Sequence, residues 1–185
     1  MDLPRIFTIR ESNHRIHNPF TATKLAALGE SLRLTPGTRA LVLASCAGAT
    51  WIGDGVAGTA ELLDRSLRPG GLMLIGEPYW RRMPPDEETA NACHANAITD
   101  YLELPDLIGQ FQGLGYDVVE MMLADQDSWD RYTAAQWLSM RRWLDQNPDD
   151  ELAPEVRKAL DTEPAGYPRY LREHLGWGVF ALMKR

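Results

Sequence analysis

Four apolar runs constrain this chain more than anything else in it: Ala40 to Cys46 (ALVLASC), Leu72 to Gly76 (LMLIG), Asp117 to Leu123 (DVVEMML) and Trp177 to Met183 (WGVFALM). Each reads as a strand, and stretches of helical periodicity lie between them. Thr21 to Leu32 places Leu25, Leu28 and Leu32 on one face, with Thr21 as a candidate N-cap. Val56 to Leu67 sets Val56, Ala60, Leu63 and Leu67 on one stripe and stops at Arg68-Pro69-Gly70-Gly71. Leu107, Ile108, Phe111 and Leu114 make a further stripe, with Gly115 where a C-terminal cap belongs. A short helix is expected within residues 86–97, and residues 128–175 are mostly helical, cut by Pro148, Pro154, Pro164 and Pro168. Strands alternating with helices predict a layered α/β domain with a mainly parallel sheet. The long insertion lets the last two strands pair antiparallel at the edge.

Composition narrows the partners. A chain of 185 residues, 44% of them hydrophobic, is long enough for one domain with a real core. Its net charge of −7 and scattered basic residues argue against nucleic acid and anionic membranes. Cys46 and Cys93 have no metal-site spacing, and Cys93-His94 adjacency does not aim both side chains at one ion, so no metal is expected. No apolar run approaches the ~18 residues of a membrane span. Arg5, Arg10 and Glu11 break up any leader, which makes a cytoplasmic location the expectation.

WIGDGVAG, residues 51–58, spells G-x-G-x-x-G before a helix, and the next strand runs into Glu77. One reading is a nucleotide loop, with the helix N-terminus facing an anion. The other is an ordinary turn. The fingerprint needs its first glycine at the strand end, whereas Ala47 to Ile52 intervene here, which favours the turn.

The run of helix 56–67, LRPGG, LMLIG and Glu77-Pro78 resembles the helix, turn and fifth strand of class I S-adenosylmethionine-dependent methyltransferases. RIFTIRESNHRIHNPFT, GATWIGDGVAG, LMLIGEPYWR, LGYDVVEMMLADQDSWDRY and LGWGVFALMKR are similar to a bacterial small-molecule subfamily. The resemblance implies a truncated Rossmann-like sheet of the three-layer α/β/α type with a helical insertion before the last strand. It divides a single domain, 1–185, into an N-terminal lid and helix (1–34), a residual α/β core (35–127), a helical cap (128–175) and a final edge strand (176–185). It also implies S-adenosylmethionine as cofactor and a small-molecule acceptor as partner. A homodimer through the exposed sheet edge is the expected alternative use of the chain.

The same resemblance marks a loss. The family's first strand, matched by TPGTRALVL, normally enters a glycine-rich loop, then a helix and two more strands. Here it runs straight into ASCAGAT, the match to the fourth strand, so that about 60 to 70 residues of the usual plan are absent. Cys46, Gly48 and Thr50 are left as the cofactor-binding candidates.

Glu77, Tyr79 and Trp80 follow the fifth strand. Glu77 is the candidate base for an acceptor proton, against capping a turn or pairing with Arg81. Trp51 is either a substrate-facing ring or one packed on the next helix. Arg15, His17 and Asn18 are substrate-binding candidates in a lid, or members of a plain polar arm. Arg141 sits in an apolar arc with Ala134, Trp137, Leu138 and Leu144, where it either reaches a ligand or snorkels to a structural ion pair.

Overall fold

The computed structural model describes residues 4–32 and 43–185. A turn expected at Thr35-Pro36-Gly37-Thr38 and the start of the first predicted strand, through Val42, lie outside the described residues. The elements run α1 (Arg5–Glu11), α2 (Ala22–Ser31), β1 (Leu43–Ala47), a 3₁₀ turn (Thr50–Gly53), α3 (Val56–Asp64), β2 (Leu72–Trp80), α4 (Glu87–Ala92), α5 (Leu104–Gly113), β3 (Tyr116–Leu123), α6 (Gln126–Gln146), α7 (Ala153–Gly166), α8 (Leu171–His174) and β4 (Leu175–Lys184). Helix starts follow local chemistry. Thr21 accepts the Lys24 amide at 3.1 Å, Asp86 the Thr89 amide at 2.8 Å and Asp125 the Ser128 amide at 2.8 Å. Gly115 closes α5 in a left-handed conformation, φ 90°.

The sheet order is β1-β2-β4-β3. β1 pairs with β2 in parallel, while β4 pairs antiparallel with both β2 and β3. β1, β2 and β3 therefore run in one direction, as a mainly parallel sheet predicts, and the last two strands pair antiparallel as expected. The sheet order corrects the placement of residues 176–185 at the edge. β4 is interior, with its first eight residues buried, whereas β3 is an edge strand that exposes Val119 and Met121. The unbroken apolar run of β4 is the pattern of a strand covered on both faces, and the alternating exposure of β3 is that of an edge.

Side-chain parity along β2 separates two cores. Met73, Ile75 and Tyr79 join Phe180 and Leu182 against α3 and α5, through Val56, Ala60, Leu107 and Phe111. Leu74 and Trp80 join Trp177, Val179 and Ala181 on the other face, under Phe20, Leu28, Trp129 and Tyr167. Full burial of a side chain such as Phe180 contributes about 2 kcal/mol. A third cluster, Ile9, Met140, Leu144, Ala153 and Val156, joins α1 to α6 and α7. The N-terminal helix therefore belongs to the cap.

Candidate functional site

A cavity of about 650 Å³ lies between this cap and the sheet rim. Phe7, Trp129, Tyr132, Tyr167, Tyr170 and Trp177 supply aromatic walls. Gly48, just past β1, and Pro78, in β2, mark its sheet side. Its size and apolar lining with a few polar groups suit a small molecule.

The cap side is held by a buried carboxylate. Glu11 is 5% exposed. Its Oε1 accepts the Tyr132 hydroxyl at 3.0 Å and the Gln136 amide at 2.8 Å; its Oε2 accepts His14 Nδ1 at 2.9 Å. The His14 ring stacks on Tyr132 with centroids 4.5 Å apart. Arg10 pairs with Glu163 of α7, and Arg5 with Asp150 at 2.9 Å. Most of these polar groups satisfy one another, although Arg10 Nε and His14 Nε2 are buried without a partner. Little of this latch was legible in the sequence, because Tyr132 and Gln136 lie more than 100 residues from Glu11 along the chain.

Of the lid candidates, Asn18 lines the cavity. His17 lies 3.2 Å from Glu11 Oε2 and belongs to the latch. Arg15 is exposed and makes no hydrogen bond or ion pair among the described residues.

The candidates after β2 are placed differently from the expectation. Tyr79 is 4% exposed and packs in the α3/α5 core against the backbone of Gly176. Trp80 is fully buried, and its Nε1 donates to the Ile98 carbonyl at 2.7 Å. Both are core residues, which corrects their assignment as substrate contacts. Glu77 shares the parity of Ile75 and Tyr79, so its side chain leaves the sheet on the face opposite Pro78 and Trp177 and does not line the cavity. Thr50 Oγ1 donates to its Oε1 at 3.1 Å, and Oε2 is buried without a partner. Burial pushes its pKa up from 4.5 to about 7, with the Thr50 hydrogen bond opposing. The pairing with Arg81 does not form; Arg81 donates to the carbonyls of Arg172 and Leu175. Arg141 pairs with Asp145 on an exposed face of α6 and lies outside the cavity wall, which corrects its substrate-binding assignment in favour of the structural ion pair. Trp51, on the 3₁₀ turn, is 72% exposed.

The glycines of WIGDGVAG have a packing explanation. A Cβ on Gly58 would sit 1.9 Å from the Gly53 carbonyl oxygen, and one on Gly53 would sit 2.2 Å from the Thr59 amide. The 3₁₀ turn and the first turn of α3 therefore touch backbone to backbone, tied further by Thr59 Oγ1 donating to the Thr50 carbonyl at 2.7 Å. Gly55 precedes α3 at φ 104°. Three glycines serve one turn–helix junction. Just upstream, Gly48 (φ 69°) donates its amide to the Gly76 carbonyl at 2.8 Å, and a Cβ there would meet Asn18 Oδ1 at 2.8 Å. Cys46 is buried, and burial raises its thiol pKa.

One cavity residue has no reading in the sequence beyond the discounted metal pairing with Cys93. His94 follows α4 at φ 67°, the left-handed position that usually ends a helix with glycine, at a cost of about 1 kcal/mol for an L side chain. It lines the cavity. Burial and the Arg10 charge both push its pKa down. Among the described residues there is no cluster suited to a metal ion, and no helix is long and apolar enough to cross a membrane.

No family model matches the chain. Solved structures do. A SAM-dependent methyltransferase from Geobacter sulfurreducens, in complex with S-adenosyl-L-homocysteine, is 51% identical with a TM-score of 0.95, over 100% of this chain and 99% of its own. Its counterpart from Thiobacillus denitrificans, in complex with the same molecule, is 48% identical with a TM-score of 0.95, over 100% of both chains. The uncharacterized protein YjhP of Escherichia coli is 47% identical, with both chains covered in full. That alignment extends over 248 positions, 63 more than the 185 residues here. At this identity and coverage, with a sheet and cap that superpose on theirs, the chain belongs to the class I S-adenosylmethionine-dependent methyltransferase family.

Proposed function

We propose that this chain acts on a small molecule, held in the cavity beneath the cap, and that its capacity for methyl transfer from S-adenosylmethionine is impaired. The observation that carries the reading is the aromatic-walled cavity at the sheet rim, closed by the Glu11 latch. Strand C-terminal ends are where open α/β sheets hold their ligands.

The residues present do not fit the cofactor as they fit a small acceptor. A nucleoside needs a tight glycine turn at a strand end and a carboxylate facing its ribose hydroxyls. After β1 the described chain offers the single left-handed Gly48, whose Cα hydrogens already face Asn18. At the rim, Glu77 is turned beneath the 3₁₀ turn and held by Thr50. Asp125 is engaged by Lys24 Nζ at 2.8 Å and by the Ser128 amide. The 63 unmatched alignment positions agree in number with the segment the sequence pattern lacks.

The test is calorimetric titration of the purified chain with S-adenosylhomocysteine, beside the Geobacter relative as control. Millimolar or weaker binding to this chain and micromolar binding to the control is the expected result. Micromolar binding to both overturns the impairment.

A further inference from the structure

We propose that His94 is the hydrogen-bond acceptor that selects the ligand of the cap cavity, and that this ligand carries a ring-borne hydroxyl or N–H. The proposal rests on reading that cavity as the acceptor site.

Most charged groups around the cavity are spent on each other, while Arg10 Nε and Trp129 Nε1 are buried donors without a partner. Glu11 uses both oxygens on Tyr132, Gln136 and His14, Arg10 is paired with Glu163, and the Tyr167 hydroxyl donates to Asp130 at 2.8 Å. His94 differs. Its backbone is engaged: the amide donates to the Asn91 carbonyl at 3.0 Å, and its own carbonyl accepts the Tyr101 hydroxyl at 3.5 Å. No described residue hydrogen-bonds its ring nitrogens, and neither nitrogen is a buried atom without a partner. His94 is exposed, and its ring nitrogens are open to a ligand in the cavity.

The backbone itself is a second sign. A glycine or asparagine would end α4 at less cost in the left-handed region. A strained residue on a cavity wall is the kind that function retains. Protein surroundings and the nearby Arg10 guanidinium favour the neutral imidazole, which offers one acceptor nitrogen. The same guanidinium disfavours a cationic ligand. Phe7, Trp129 and Trp177 offer flat apolar surfaces, so the donor that meets His94 is best carried on an aromatic ring.

The experiment uses 2-naphthol and 2-methoxynaphthalene, which differ only in the donor, titrated into the full chain by NMR with the histidine ring protons observed. The naphthol is expected to bind about tenfold tighter than its methyl ether and to shift one histidine. His94→Gly removes the ring and relieves the left-handed backbone, so the variant should melt no lower than the parent yet lose the preference and the shift. His94→Asn tolerates the same backbone, keeps an acceptor oxygen, and should recover part of the preference. Equal affinities in the parent chain, or a preference that survives His94→Gly, overturn the proposal while leaving the cavity as a binding site. If neither probe binds, the acceptor-site reading falls with it.

Discussion

On the cap side of the rim, a buried carboxylate receives three hydrogen bonds within 3.0 Å from one helix and a loop. On the β1 side, Glu77 receives one, its second oxygen has none, and Trp51 and Ile52 stand in the open at 72% and 51% exposure. The two carboxylates find partners with unequal success, although the cap too leaves buried atoms without one, Arg10 Nε and His14 Nε2 among them. The cap carboxylate is enclosed by residues of α1, α6 and the loop after α1, whereas the β1 side leaves large apolar side chains exposed beside a half-satisfied carboxylate.

The strongest attempt to break this contrast is to repair the weaker side. Inserting YjhP's additional segment at the junction near residues 43–44 is expected to tighten S-adenosylhomocysteine binding about a thousandfold, read by calorimetry. Unchanged affinity would mean that the β1 side is not deficient in the way described. Next in size is damage to the stronger side. Glu11→Ala strands the Tyr132, Gln136 and His14 donors in the cap and should cost about 3 kcal/mol in urea-melt stability, together with loss of cavity ligands. A loss below about 1 kcal/mol would show the latch to be solvated.

Glu77 gives a pH signature of the β1 side. Its folded pKa of about 7 lies above the ordinary 4.5, so the folded state holds a proton that the unfolded state releases. That stabilisation is fully present below pH 4.5 and is lost as pH rises through about 7. Between pH 5 and 8 the parent should lose about 2 kcal/mol, and Glu77→Gln should flatten that part of the curve. Identical pH profiles would place Glu77 in contact with water. The smallest effect belongs to Arg141→Ala. Its exposed pair with Asp145 is worth no more than about 0.5 kcal/mol, and cavity ligands should bind unchanged. A drop in ligand affinity would return Arg141 to the site.

How much was legible follows from the range of each interaction. Thr21 as a cap, Gly115 as a terminator and the stripe of α3 depend on neighbours within a few residues, and the structure holds each of them. The Glu77 side chain was misplaced because its function was assigned by distance from a strand end, whereas parity along β2 decides which face it leaves. Tyr79 and Trp80 failed for the same reason: aromatic residues at a rim read as contacts until the layers above them are known. Arg141 sat in an apolar arc by periodicity, yet one pair four residues on was enough to carry its head to solvent. His94 was weighed only as a metal ligand beside Cys93; its left-handed backbone and free ring nitrogens have no sequence signature.

By itself the sequence determined the alternation of strands and helices, the family, and the absence of a segment between two strand-like runs. These rest on local periodicity and on short motifs that survive being read one after another. The tertiary structure alone decided that β4 lies inside the sheet, that α1 belongs to the cap, and that Glu11 rather than Glu77 faces the cavity's polar network. Those facts depend on pairings between residues far apart along the chain, whose energies come from mutual burial and shared hydrogen bonds, and nothing in the order of residues along the chain states which partner each will find.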